Sequence, residues 1–190
     1  MTEGENIAPW IGFFNQLLNL PIPENLTTFV EDMDEISSRD KSIQWKIKGM
    51  ASKITYRLFT KYGNKVYTKD DRKKFMDYFQ ATFSEPLLET HLQHLLSRKT
   101  KFVGSKCLNF SMKFVSAATK TPATMAKLKP FIENILYEVV IPIIMPTHRD
   151  VTLFQDDPIE YIRKQEDFSE TLFMSRNTVI DLLQYICDPS

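Results

Sequence analysis

Apolar residues recur every three or four positions along most of this chain, and the runs are long. In PWIGFFNQLLNL, residues 9–20, Trp10, Phe13, Phe14, Leu17 and Leu18 fall at helical spacing. Pro9 suits the first turn of that helix, and Pro21 and Pro23 stop it. From 24 to 38 the pattern weakens to Phe29, Met33 and Ile36, enough for one short helix. Over 42–62, Ile43, Ile47, Met50, Ile54, Leu58 and Tyr62 mark a helix of about 30 Å, with Gly63 placed as a C-cap glycine. Ile47, Met50, Ile54 and Leu58 are its expected buried stripe. Asp70-Asp71 can cap the next helix, whose stripe is Phe75, Phe79, Phe83, Leu87 and Leu92, and Pro86 should kink or split it. Further helices are predicted near 100–119 (Val103, Cys107, Phe110, Phe114 and Ala118 inward), over 123–145 (Leu128, Phe131, Ile135, Val139 and Ile143 inward, bent near Pro130 and Pro142) and near 170–187 (Leu172, Val179, Leu182, Leu183 and Ile186). No stretch sustains a two-residue alternation between turn signals, so the fold class is all-α. Periodicity alone leaves a closed bundle and a solenoid of stacked helix pairs both open.

Composition agrees with a globular helical chain. Five glycines in 190 residues are too few for the tight turns of a β-rich fold. Two cysteines, Cys107 and Cys187, form no metal-like pair and read as reduced core thiols. The N-terminus lacks the apolar core of a secretory signal, and VVIPII at 139–144 is too short to span a membrane, so a soluble intracellular protein is expected.

Charge changes the picture more than composition does. The net charge is zero, but the charges lie in bands. Residues 1–38 hold seven acids and no Lys or Arg; 39–74 hold twelve Lys or Arg against three acids; 148–190 hold nine acids against four bases. Such bands can neutralise one another across neighbouring helices or present surfaces of one sign to partners. Lys46, Lys53 and Arg57 share one side of the long helix, with Lys41 and Lys48 on another. His91 and His94 have metal-ligand spacing, but no third ligand stands near in sequence. There is no phosphate loop and no nucleophile or zinc-protease motif. The expectation is therefore a protein-binding chain with no enzyme activity, cofactor or metal, and no nucleic-acid or membrane partner.

Four stretches, in order, carry a resemblance. PWIGFFNQLLNLPIPE near the start, WKIKGMASKITYRLFTKYGN at 45–64, LKPFIENILYEVVIPIIMP at 128–146 and LFQDDPIEYIRKQED after it resemble the importin-β (karyopherin) family. The resemblance is to the branch containing importins seven and eight, and the last element is also similar to one in the export receptor for importin-α. The resemblance implies a HEAT-repeat solenoid, here one domain over 1–190 of about three repeats, lacking the family's amino-terminal repeats that bind the GTPase Ran. It also implies Ran-dependent transport of protein cargo between cytoplasm and nucleus, with nucleoporins as further partners of the whole receptor. A free-standing helical adaptor without transport activity is the alternative.

In DDPIEYIRKQED, Pro158 fits the first turn of a short helix capped by Asp156 or Asp157. Ile159 and Ile162 should dock that helix on the array, and Glu160 can pair with Arg163 or Lys164. Acidic surfaces of the family's arrays receive basic cargo. The candidate protein-binding residues are therefore Asp156, Asp157, Glu160, Arg163, Glu166 and Asp167, together with the basic Lys46, Lys53 and Arg57. A chain cut from a solenoid would also leave Phe13, Leu17, Leu182 and Leu183 exposed at its ends.

Overall fold

A computed structural model describes residues 3–30, 32–63, 70–146, 148–166 and 171–187, with some side chains within the helices excepted. All the regular structure in it is helical, and the only β feature among the described residues is an isolated bridge between Thr28 and Lys101. The helices are α1 (Glu3–Asn19), α2 (Met33–Asp40), α3 (Ile43–Leu58), α4 (Asp70–Phe79), α5 (Glu85–Ser97), α6 (Ser105–Ala118), α7 (Pro122–Leu128), α8 (Ile132–Ile135), α9 (Ile141–Ile144), α10 (His148–Asp156), α11 (Pro158–Glu166) and α12 (Thr171–Cys187).

Three helix pairs stack in chain order. In one layer α3 packs on α6 and α6 on α12; in the other, α1 touches α5; across the layers α1 pairs with α3, α5 with α6 and α9 with α12. Each pair packs on the next, which is the arrangement of a HEAT-like solenoid rather than a closed bundle. α6 lies at the centre and buries Cys107, Leu108, Met112, Phe114, Val115 and Ala118. A chain of aromatic rings runs beside it, with Phe59 4.4 Å from Phe114 and 6.5 Å from Phe79.

Prolines set the breaks in the long elements. Pro86 and Pro142 each stand in the first turn of a helix, α5 and α9, entered through a widened π-helical turn at Gln80–Ser84 and Leu136–Val140. A proline has no N–H to give and its ring crowds the preceding turn; widening that turn accommodates the ring. Pro130 lies in a 3-10 turn between α7 and α8. The breaks expected at these three residues are thus present.

Several expectations are corrected. α1 begins at Glu3, so Pro9 lies inside it, and its buried residues are Ile11 and Leu18 while Trp10 and Phe13 face outward. Gly63 is no left-handed cap, since among the described residues no glycine takes a positive φ. It closes a π-helical turn over Phe59–Gly63, where a Cβ would come within 2.5 Å of the Phe59 ring, so the close approach is what requires glycine. Phe131 faces outward, Phe110 is only half-buried, and Cys187 is exposed rather than a core thiol. Leu182 is buried against the stack, with Leu17 and Leu183 half-buried; of the four end residues expected to be exposed, Phe13 is. The loop 64–69, Asp167 and the side chains of Asp70, Asp71, Lys164, Glu166 and Leu172 lie outside what is described.

The largest correction concerns α3. It buries Trp45, Lys48, Gly49, Ala51, Ser52 and Thr55, while Met50 is 49% and Ile47 40% exposed and Ile54 and Leu58 are half-buried. Much of the side expected inside faces outward, and a mostly polar side is sealed in the core.

Candidate protein-binding surfaces

What seals that polar side is a hydrogen-bonded seam between α1, α3, α5 and α6. Lys48 Nζ donates to the Leu18 carbonyl near the end of α1, where a helix leaves carbonyls without internal partners. His94 Nε2 lies 3.1 Å from the same carbonyl. A carbonyl only accepts, so His94 carries its proton on Nε2, and Nδ1 faces Cys107 Sγ at 3.5 Å. The Ser52 hydroxyl donates to that sulfur at 3.3 Å. One turn on, the Thr55 hydroxyl donates to the Ala51 carbonyl at 3.0 Å. Its oxygen therefore accepts from His91 Nε2 at 3.0 Å, and Ser111 donates to His91 Nδ1 at 2.9 Å. The His91 ring stacks on Phe114 with centroids 4.2 Å apart.

Burial sets the protonation of this seam. It holds His91 well below 6.5, with His94 adding to the effect. It holds His94 down to about 4, with the Lys48 ammonium beside it and the Leu18 carbonyl opposing. It lowers Lys48 as well, against a smaller opposing influence from Cys107. The Cys107 thiol is pushed up, and the fully buried sulfur is no accessible nucleophile. The histidine pair is therefore a structural contact, and among the described residues no three His, Cys, Asp or Glu side chains gather as metal ligands.

Two charged surfaces lie outside this core. The first is formed by the outward sides of α3 and α6. Lys46 and Arg57 on α3 and Lys106 on α6 are exposed, with Lys53 and Lys113 half-exposed beside them. Neither helix carries an Asp or Glu. Phe110 lies between the rows, with Lys53 Nζ 5.9 Å and Lys113 Nζ 5.4 Å from its centroid and Tyr56 6.0 Å away. The helices meet closely at Gly49, where a Cβ would touch the Lys106 stem at 3.0–3.2 Å. The pattern along α3 showed Lys46, Lys53 and Arg57 on one side; it could not show that α6 adds Lys106 and Lys113, because that depends on how the two helices cross.

The second surface is the α10–α11 hairpin. Asp157 is the cap of α11, accepting from the Glu160 N–H at 2.9 Å, and Pro158 opens the helix as expected. Phe154 and Tyr161 pack edge to face at 5.4 Å, joining the two helices. Glu160 pairs with Arg163 at 3.5 Å, an exposed contact. The expected docking of Ile159 and Ile162 on the array does not occur: they are 79% and 54% exposed. α11 packs on α10, and Asp156 and Asp157 stand exposed beside it.

Trp45, which opens the second of the resembling stretches, works inside. Its indole N–H donates to the Leu26 carbonyl at 3.0 Å, and its ring meets Phe102 edge to face at 5.6 Å. Arg39 donates to the Thr28 carbonyl and lies over the same Phe102 ring. These contacts pin the proline-containing loop after α1, so the loop is a fixed part of the stack.

The Cse1 family profile matches residues 5–189, nearly the whole chain. The chain belongs to the Cse1 family. Its relatives place it among the importin-β-like proteins. It is 29% identical over 176 residues to an Arabidopsis thaliana importin beta-like SAD2 homolog, covering 92% of this chain and 16% of that protein. It is 25% identical over 186 residues to human importin-8, covering 97% of this chain and 17% of the relative. It is 26% identical over 170 residues to the importin alpha re-exporter of Saccharomyces cerevisiae, covering 88% and 15%. The chain thus spans about a sixth of the length of these relatives. No solved structure gives a significant match.

Proposed function

We propose that this Cse1-family chain is a protein-binding segment, about three HEAT repeats long, of a nuclear transport receptor that shuttles between cytoplasm and nucleus. In the whole receptor the work is Ran-dependent import of protein cargo with passage along nucleoporins. This segment contributes a contact to basic cargo and uses no cofactor. The observation that carries the reading is the α10–α11 hairpin, where Asp156 and Asp157 stand exposed at the start of α11 beside the uncovered Ile159 and Ile162. A cation competes with the positive end of the helix dipole for carboxylates at a helix N-terminus, but a basic peptide brings several cations and can meet Asp156, Asp157 and Glu160. Arg163 would limit the contact to partners that tolerate one cation. Ran itself should bind the chain weakly.

The test is binding of a fluorescently labelled oligolysine peptide to the full chain by anisotropy. Neutralising Asp156, Asp157, Glu166 and Asp167 together should weaken binding about tenfold or more and leave the melting temperature unchanged. Unchanged affinity would overturn the cargo-contact assignment. Submicromolar binding of Ran-GTP by this chain in a calorimeter would overturn the view that its principal Ran site lies elsewhere in the receptor.

A further inference from the structure

The basic face of α3 and α6 has the opposite sign to the hairpin and is not used by the reading above. From its make-up we infer that it is a docking site for an acidic peptide segment, a stretch of protein rich in Asp and Glu. Five exposed or half-exposed cations stand on its two helices: Lys46, Lys53 and Arg57 on α3, Lys106 and Lys113 on α6. Without a carboxylate on either helix, no i,i+3 or i,i+4 acid neutralises these cations, as Asp77 does for Lys73 on α4 and Glu35 for Arg39 on α2. Asp40, at the end of α2, is committed to accepting from the Ser105 N–H at the start of α6, at 2.8 Å. Like charges gathered in this way repel one another, and a partner carrying carboxylates relieves that repulsion.

The face is also positioned. Lys106 cannot withdraw over α3 without moving its stem, which rests on Gly49 where the helices touch. Lys53 and Lys113 both hold their ammonium groups over the ring of Phe110. Within each row, Lys46 to Lys53 and Lys106 to Lys113 are seven residues apart, about 10 Å of helix rise. Packed helix axes are about 8–10 Å apart, so the cations form a coarse lattice. A flexible acidic segment can place carboxylates on such a lattice from several registers.

Single-stranded nucleic acid is the other polyanion to consider, and the aromatic residues argue against it. Base stacking needs an open aromatic face. Phe110 is half-buried with two ammonium groups 5.9 and 5.4 Å from its centroid and Tyr56 against it, and Trp45 is sealed against Phe102. Four of the five cations are lysines, point charges that suit carboxylates without demanding a planar, bidentate partner.

The experiment uses the full chain, a fluorescein-labelled oligoglutamate peptide and, in a separate arm, an oligothymidylate of equal charge. The peptide should bind with an affinity that falls as salt rises, and more tightly than the oligonucleotide. The triple variant K53E/K106E/K113E should lose about tenfold or more of the peptide affinity, and D156N/D157N should leave it unchanged. Should the reversed charges disturb folding, K53Q/K113Q, checked by circular dichroism, should still weaken the peptide several-fold. Equal or tighter binding of the oligonucleotide, or peptide affinity indifferent to both Lys variants, would overturn the inference.

Discussion

α3 and α11 invite comparison because each carries a clear apolar stripe, and in neither does that stripe form the core. α3 turns much of its stripe outward and buries Lys48, Ser52 and Thr55. α11 keeps its stripe, Ile159 and Ile162, in solvent and buries little. The causes differ. In α3 the buried polar side chains find partners on α1, α5 and α6, so sealing them costs little, and the close approach at Gly49 lets the helices nest. In α11, whose main packing among the described residues is on α10, the stripe stays exposed. Apolar spacing therefore locates a helix and its possible faces; the inward face is decided by which surface has complementary neighbours.

The strongest way to break this comparison is to truncate a residue that the structure places inside on α3's continuation. Phe59→Ala should lower unfolding stability by about 3–5 kcal/mol, since the ring is fully buried against Phe114 and Phe79. Met50→Ala, nine residues earlier on the outward side, should change it by about 0.5 kcal/mol or less. Urea titrations of the pair that gave equal losses would show that the facing of α3 is wrong.

The buried seam sharpens the contrast through pH. His91 and His94 are both held below their unfolded value near 6.5, His94 at about 4. In the window between the unfolded and folded values the unfolded chain binds more protons, so stability is full above that window and is lost as pH falls through it. The slope is about 1.4 kcal/mol per pH unit for each histidine at most. Urea midpoints measured from about pH 7 to about pH 5 should fall, and His94→Gln, which retains a donor for the Leu18 carbonyl, should flatten the curve. A midpoint independent of pH in the wild-type chain would count against a neutral seam.

The hairpin should respond least. Ile162→Asp places a charge where the structure shows mostly solvent, so the expected change is about 0.5 kcal/mol or less. Glu160→Gln should cost still less, because an exposed helix pair is worth about 0.3–0.5 kcal/mol at most. A loss of several kcal/mol in thermal melts of Ile162→Asp would mean that α11 docks on the stack after all.

Much was readable in the sequence for reasons local to the chain. Helical spacing gave the all-α class, because apolar residues on one turn must return to the same side after three or four positions. Pro86, Pro130 and Pro142 marked their breaks, since a missing N–H acts on the chain's own backbone wherever the residue lies. Asp157 and Pro158 marked the start of α11 for the same reason. The acidic and basic bands were visible as composition, and Lys46, Lys53 and Arg57 as one side of a helix. Only the tertiary structure decided that the seven groups of the polar seam meet, that α6 completes the basic face with Lys106 and Lys113, and that Gly63 serves the Phe59 ring instead of a left-handed turn. The seam depends on groups far apart in sequence, Leu18, Lys48, His94 and Cys107, whose hydrogen bonds exist only once four helices have packed together. A helix records its own periodicity, but the free energy of burying one face rather than another belongs to the partners that cover it.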